Sequence, residues 1–258
     1  MANHVEHDVV FVCSGHPDAA IVLVCEHASK FVPAKFDNLG LDQVARDSHV
    51  AWDPGAKNLT MLISDAFNAP AVLGNVSRLV YDCNRPPSAR DAVPEQSEIF
   101  SIPGNKQLSK SEFDVRVETY YRPFEQALTS TLSRHEIKPI LVTIHSFTPT
   151  YHGEQREVEI GILHDGDTRV ADAMLDVALQ FTDLIVTRNA PYGPEDGVTH
   201  TLRQHGLAND LPNVMIEVRN DLLQTDEQCE QISKILIAML NAAVNSTGES
   251  GLQKVGVV

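Results

Sequence analysis

The chain has 258 residues, 43% of them hydrophobic, enough apolar material for one large core. Acidic residues outnumber basic ones by 35 to 20, and a formal net charge of −15 repels phosphate backbones, so nucleic acid is not an expected partner. No apolar run approaches the ~18 residues that span a bilayer, and the start, "MANHVEHDVV", lacks the basic end and apolar centre of a secretory signal, so a cytoplasmic protein without a membrane partner is expected.

Apolar runs of strand length alternate with helical patterns along the chain. The first expected strand, at about 20–26, runs straight into Glu26 and His27. A helix is expected over 54–67, with Pro54 near its start and Leu59, Leu62 and Ile63 on one side. Residues 70–81 read as two short strands with a break between them. The segment 83–106, rich in Pro, Ser and Asp, is the longest expected loop, and long loops in compact domains are often functional. A helical segment at 109–135 opens on Ser109-Lys110-Ser111-Glu112, the spacing of a capping box, and Pro123 should kink or restart it. Further strands are expected at 139–145, 157–163, 183–187 and 213–218. Helices are expected at 167–181 and at 225–245, the second opening on the capping-box spacing Thr225 to Gln228. The tail after Asn245 is expected to be loose. Continuous apolar runs belong to strands covered on both faces. Their alternation with helices indicates an α/β fold with a mostly parallel sheet and right-handed crossovers. A single domain over 1–258 is expected, with its core at about 20–245.

Ligands of open α/β sheets sit outside the carboxyl ends of the strands. Four apolar runs here end in residues that ligate metals, move protons or grip anions: Glu26-His27, Asn84-Arg85, His145-Ser146, and Glu217 with Arg219. Zinc takes imidazole and carboxylate ligands, and His27, Glu26 and His145 would supply two imidazoles and one carboxylate. Adjacent strand residues point to opposite faces, so Glu26 and His27 share a metal only where the backbone turns sharply. Glu217 is a candidate general base and acid; its plain alternative is an ion pair with Arg219. Arg78, Arg85 and Arg219 are candidates for holding substrate carboxylates in a two-point fork, the alternative being ion pairs with Asp47, Asp53 or Asp82. His49 and Asp53 of "DSHVAWDPGA" either line the pocket or serve structure, and His200 of "GVTHTL" is a pocket-lining candidate. The four cysteines, Cys13, Cys25, Cys83 and Cys229, are too widely spaced for a thiolate zinc knuckle or a disulfide framework. Cys25 beside His27 allows a metal-free thiol mechanism as a rival chemistry. A binding protein without catalysis is a further alternative.

The pieces "CEHAS", "DSHVAWDPGA", "SRLVYDCNRP", "VTIHSFTP", "APYGPEDGVTHTLRQHG" and "VMIEVRNDLL", in this order, resemble the N-formylglutamate amidohydrolase family over roughly 20–245. That family is similar to the zinc-dependent exopeptidases and aspartoacylase. The resemblance implies a three-layer α/β/α domain with a mixed, mostly parallel sheet. It implies a zinc ion, and hydrolysis of an amide next to a free carboxylate: a small acidic N-acyl amino acid, N-formyl-L-glutamate first among them. It also implies that His27, Glu26 and His145 hold the metal, that Asn84-Arg85 grips the substrate carboxylate, and that Glu217 is the general acid and base. The wider group spaces its first ligands His-x-x-Glu, whereas Lys30 stands three residues after His27 here. Asp53 and Asp82 are therefore spare carboxylates for the ligand position. The first motif reads Glu-His-Ala-Ser-Lys where the family often has Glu-His-Gly-Gly-Asn, which leaves another N-acyl amino acid as an alternative substrate.

Overall fold

A seven-stranded mixed sheet organises the molecule. The computed structural model of the chain describes residues 8–247. The sheet runs in the order β1-β3-β2-β6-β11-β9-β10, with β1 Val10–Cys13, β2 Ile21–Cys25, β3 Ala71–Gly74, β6 Ile140–Phe147, β9 Ile160–Leu163, β10 Val186–Arg188 and β11 Asn213–Arg219. Four strand pairs are parallel (β3-β2, β2-β6, β6-β11, β9-β10) and two are antiparallel (β1-β3, β11-β9). Two small hairpins lie outside the sheet, β4 Gln96–Ser97 with β5 Phe100–Ser101 and β7 Thr150–Tyr151 with β8 Glu154–Gln155.

Side chains of a strand alternate between faces, and both faces are apolar here. On one face Ile21, Leu23, Ile140, Val142, Ile144, Val214 and Ile216 join Leu59 and Ile63 of α2 (Ala56–Phe67), Met174 of α5 (Arg169–Phe181) and Leu236 and Leu240 of α6 (Asp226–Ser246). On the other, Val22, Val24, Val72 and Leu141 meet Phe124 and Leu128 of α4 (Arg122–Leu132), with Tyr120 and Tyr121 before it. The architecture is three-layered, as the sequence indicates. Short α1 (Gln43–Asp47) precedes α2, and α3 (Lys110–Arg116) leads into α4. Both expected capping boxes form, at Ser109 and at Thr225.

Pro123 acts as expected. It has no N–H to donate one turn back, and the chain between α3 and α4 widens into a π turn, Val117–Tyr121, where the Arg122 N–H reaches Val117. Two readings are corrected. Only the first half of 70–81 is a strand; Leu79 and Val80 are buried in a turn and Tyr81 follows it, its ring against Phe113 of α3 and Tyr121, and an apolar run alone does not tell a buried turn from a buried strand. The edge strand β1 was not expected, because Phe11 and Val12 stay half exposed and carry no alternation. The tail beyond residue 247 lies outside the described residues.

Candidate active site and metal centre

Strand β2 ends at Cys25, and Glu26 and His27 occupy the turn that follows. Gly74, the last residue of β3, makes that turn possible. A Cβ there would stand 2.1 Å from the Glu26 carbonyl oxygen. The backbone break that sharing Glu26 and His27 requires is therefore present. The His27 carbonyl accepts the Asp53 N–H at 2.9 Å, which ties the turn to the residue just ahead of α2. On β6, Ile140, Val142 and Ile144 face α2, α5 and α6, so His145 projects from the opposite face. The β6-β11 register then sets Glu217 beside His145.

The carboxylate that converges with the two imidazoles is Asp53. His27 Nδ1, His145 Nδ1 and Asp53 Oδ2 are mutually 3.2, 3.3 and 2.9 Å apart, and all three residues are buried. Four donors around zinc at ~2.0–2.1 Å would be about 3.3–3.4 Å from one another, so this cluster has the size of one face of such a tetrahedron. The outer nitrogen of each ring meets another acid: His27 Nε2 lies 2.7 Å from Asp82 Oδ1, and His145 Nε2 lies 3.1 Å from Glu26 Oε2. Asp82, hydrogen-bonded to His27 Nε2, favours the Nε2–H tautomer there, and Glu26 stands opposite His145 Nε2, so both rings aim Nδ1 at the centre as metal-ligating histidines require. Glu26 thus stands behind a ring, and the sharp turn carries it there. Burial opposes charge on His145, yet Glu26 and Asp53 hold its pKa well above the ordinary imidazole value. Burial likewise opposes charge on Asp53, and the two imidazoles nevertheless hold its carboxyl far below the usual range. The cluster is built to hold positive charge.

A cavity of about 210 Å³ opens beside it, lined among others by His49, Arg78, Glu98, Tyr192 and Glu217. Glu217 is 5% exposed, and its Oε2 has no hydrogen-bond partner. Burial, with Asp53 adding to it, pushes its pKa up to about 7. A carboxyl poised there both accepts and returns a proton near neutral pH.

The expected arginines divide. Arg78 lines the cavity and is 29% exposed, while its guanidinium reaches Asp82 at 2.7 Å and Asp53 at 3.4 Å. Arg85 also lines the cavity, but its donors go to Asp91 and to the carbonyls of Asp196 and Gly197. The Asn84 side chain bonds Val198 O and the Thr201 N–H, so Asn84-Arg85 pins the 196–201 loop against the site. Arg219 is not brought to the cavity. It pairs with Asp221 and Glu159 at the end of β11 and bonds the Arg156 carbonyl. It does not pair with Glu217, because Asp221, Glu159 and the Arg156 carbonyl take its donors. His49 lines the cavity 3.0 Å from Glu98. His200 instead bonds the Tyr121 hydroxyl at 2.8 Å, outside the cavity wall. Cys25 is fully buried on the α2 side of the sheet, and burial raises its thiol well above the ordinary value, which removes thiolate chemistry. Glu98, Tyr192 and Arg156 were not singled out by sequence reasoning, because they sit on loops and hairpins with no strand-end signature.

A family model described as N-formylglutamate amidohydrolase matches residues 19–224. No curated protein matches the chain. Among solved structures, a gene product from Agrobacterium tumefaciens is 48% identical, with a TM-score of 0.88 over 93% of this chain and 96% of that one. N-formylglutamate amidohydrolase from Ralstonia eutropha JMP134 is 19% identical, with a TM-score of 0.64 over 93% of this chain and 98% of that one, a likeness of fold.

Proposed function

The chain belongs to the N-formylglutamate amidohydrolase family, and on that basis we propose that it is a zinc-dependent hydrolase of small N-acyl amino acids, with N-formyl-L-glutamate as the substrate giving formate and L-glutamate. The observation that carries the metal is the convergence of His27 Nδ1, His145 Nδ1 and Asp53 Oδ2 within 3.3 Å of one another. Two imidazoles and one carboxylate are the donor set of a catalytic zinc site that keeps a position open. Bound there, zinc supplies the Lewis acidity that polarises an acyl carbonyl and acidifies water.

The chain's own groups do the rest. Asp82 holds His27 in the tautomer that presents Nδ1, and the Glu26 carboxylate backs His145. Glu217, fixed beside His145 by the strand register, takes the proton of the attacking water and passes it to the leaving amine. Arg78, next to Asp53 and partly open to the cavity, holds the carboxylate nearest the scissile amide. Asn84-Arg85 keeps the neighbouring loop in place. A second reading, an N-acyl amino acid with an uncharged side chain, is favoured by one observation: the carboxylate of Glu98 lines the same cavity.

The test is chelation followed by metal return, with N-formyl-L-glutamate as substrate. Activity should fall to background on chelation and return with about one equivalent of zinc. Full turnover by metal-free protein would sink the proposal.

A further inference from the structure

Substrate carboxylates need a cation with donors to spare, and the arginines first expected to provide them are mostly engaged. Arg85 and Arg219 are paired with Asp91, Asp221 and Glu159, and Arg78 is shared by Asp53 and Asp82. Arg156 differs. Its guanidinium carbon lies 4.5 Å from the ring of Tyr151, 4.8 Å from Tyr192 and 5.5 Å from Phe147. All three rings line the cavity. Among the described residues its guanidinium makes one long bond to backbone, to Thr148 O at 3.4 Å, and no carboxylate lies within 4.0 Å of it. A guanidinium stacked on aromatic faces keeps its in-plane N–H groups for another acceptor.

The surroundings hold this arginine in place. Arg219 donates to the Arg156 carbonyl at 3.2 Å, so a residue expected to touch substrate instead anchors the segment carrying Arg156. The Arg156 side chain also interacts with the hydroxyl of Tyr192, which burial and Glu217 keep protonated, with its pKa pushed up to about 12. That hydroxyl is therefore a donor on the cavity wall, backed by a positive charge. Tyr192 is delivered by the loop after β10. The carbonyl of Ala190 on that loop crosses Gly161, where a Cβ would stand 2.1 Å from it. Glu98, the carboxylate on the same wall, directs one oxygen to His49 at 3.0 Å and the other to the His152 N–H at 3.3 Å.

We propose that Tyr192, backed by Arg156, is the subsite that receives the side-chain carboxylate of the substrate, and so selects acidic N-acyl amino acids over their neutral isosteres. Tyr192 touches the carboxylate, and Arg156 positions and charges it. Arg78 lies against Asp53 of the metal cluster and serves the carboxylate next to the amide. Arg156 lies behind Tyr151, a lining residue that is 37% exposed, and so backs the more open part of the wall. This assignment rests on the amidohydrolase reading above.

The experiment compares N-formyl-L-glutamate with N-formyl-L-glutamine as substrates of the metal-loaded enzyme, and L-glutamate with L-glutamine as ligands by calorimetry. The native enzyme should prefer the glutamate compounds. Arg156→Gln and Tyr192→Phe should cut that preference by about 10- to 100-fold, through KM and with kcat little changed. Arg156→Lys should keep part of it. Equal losses for both compounds, or no preference in the native enzyme, would overturn the subsite. An Arg156-dependent preference for L-glutamate without hydrolysis of either formyl compound would uphold the subsite and remove the formyl substrate. Hydrolysis that ignores Arg156→Gln would do the reverse.

Discussion

Asp53 shows how a single residue escapes a reading by strand ends. It follows Trp52 in a loop, not an apolar run, and hydrogen bonds from its N–H to the His27 carbonyl and from the Ser146 N–H to its carboxylate bring it into the cluster. Glu26 carried the stronger signal, at a strand end beside a histidine, yet the turn places it behind His145. Glu217 was legible because its strand is continuous and its face follows from period two. Its pKa has a consequence for stability. An acid whose pKa rises on folding, here from the usual carboxyl value to about 7, costs stability that grows as pH climbs from the unfolded pKa and is complete above 7. In metal-free protein at pH 8, Glu217→Gln should therefore raise stability by about 2–3 kcal/mol, or Tm by roughly 5–10 °C. The same change should lower kcat by about 10²–10⁴ in metal-loaded enzyme. Thermal melts at pH 5 and pH 8 check the sign, since the gain should shrink at the lower pH. A loss of Tm at pH 8 would contradict the buried-acid assignment.

Among the elements, β6, β9 and β11 carry the site. Parallel β6 and antiparallel β9 flank β11, so Glu217 has His145 on one side and Gly161 on the other. Continuous apolar runs made these strands legible, while their order and directions come from pairing that no local pattern encodes. The hairpin 150–155, with polar residues and tight turns at His152 and Gly153, has no alternation to read, and Arg156 follows directly after it. Gly161 is the position at which the sheet tests the loop above it. Gly161→Ala would press a methyl group into the Ala190 carbonyl, which is backbone and must move with the Tyr192 loop. We expect a cost of about 1–3 kcal/mol by thermal or denaturant unfolding, and a KM for N-formyl-L-glutamate raised more than kcat is lowered. An unchanged KM would separate that loop from substrate binding.

For the molecule as a whole, charge and function pull in opposite directions. A chain with a formal net charge of −15 repels anions, so a cavity that takes the proposed dianionic substrate must supply its own cations. It does so with Arg78 on its wall and two imidazoles whose acids hold positive charge between them, while Arg156 stands behind three of the lining rings. The three-layer architecture was legible from alternation of elements, and the apolar layers agree with it. No described helix is long and apolar enough to cross a membrane. What stayed hidden is which carboxylate meets His27 and His145, because crossovers and loops that no local pattern encodes bring Asp53 to the pair and leave Glu26 and Asp82 behind the rings.

The metal assignment is tested most directly by anomalous diffraction at the zinc edge, on crystals grown with one equivalent of zinc. A single strong peak should fall at ~2.0–2.2 Å from His27 Nδ1, His145 Nδ1 and an Asp53 oxygen, with Glu26 and Asp82 outside the coordination shell. A cluster without a peak, or a peak bound by Glu26 in place of Asp53, would contradict it.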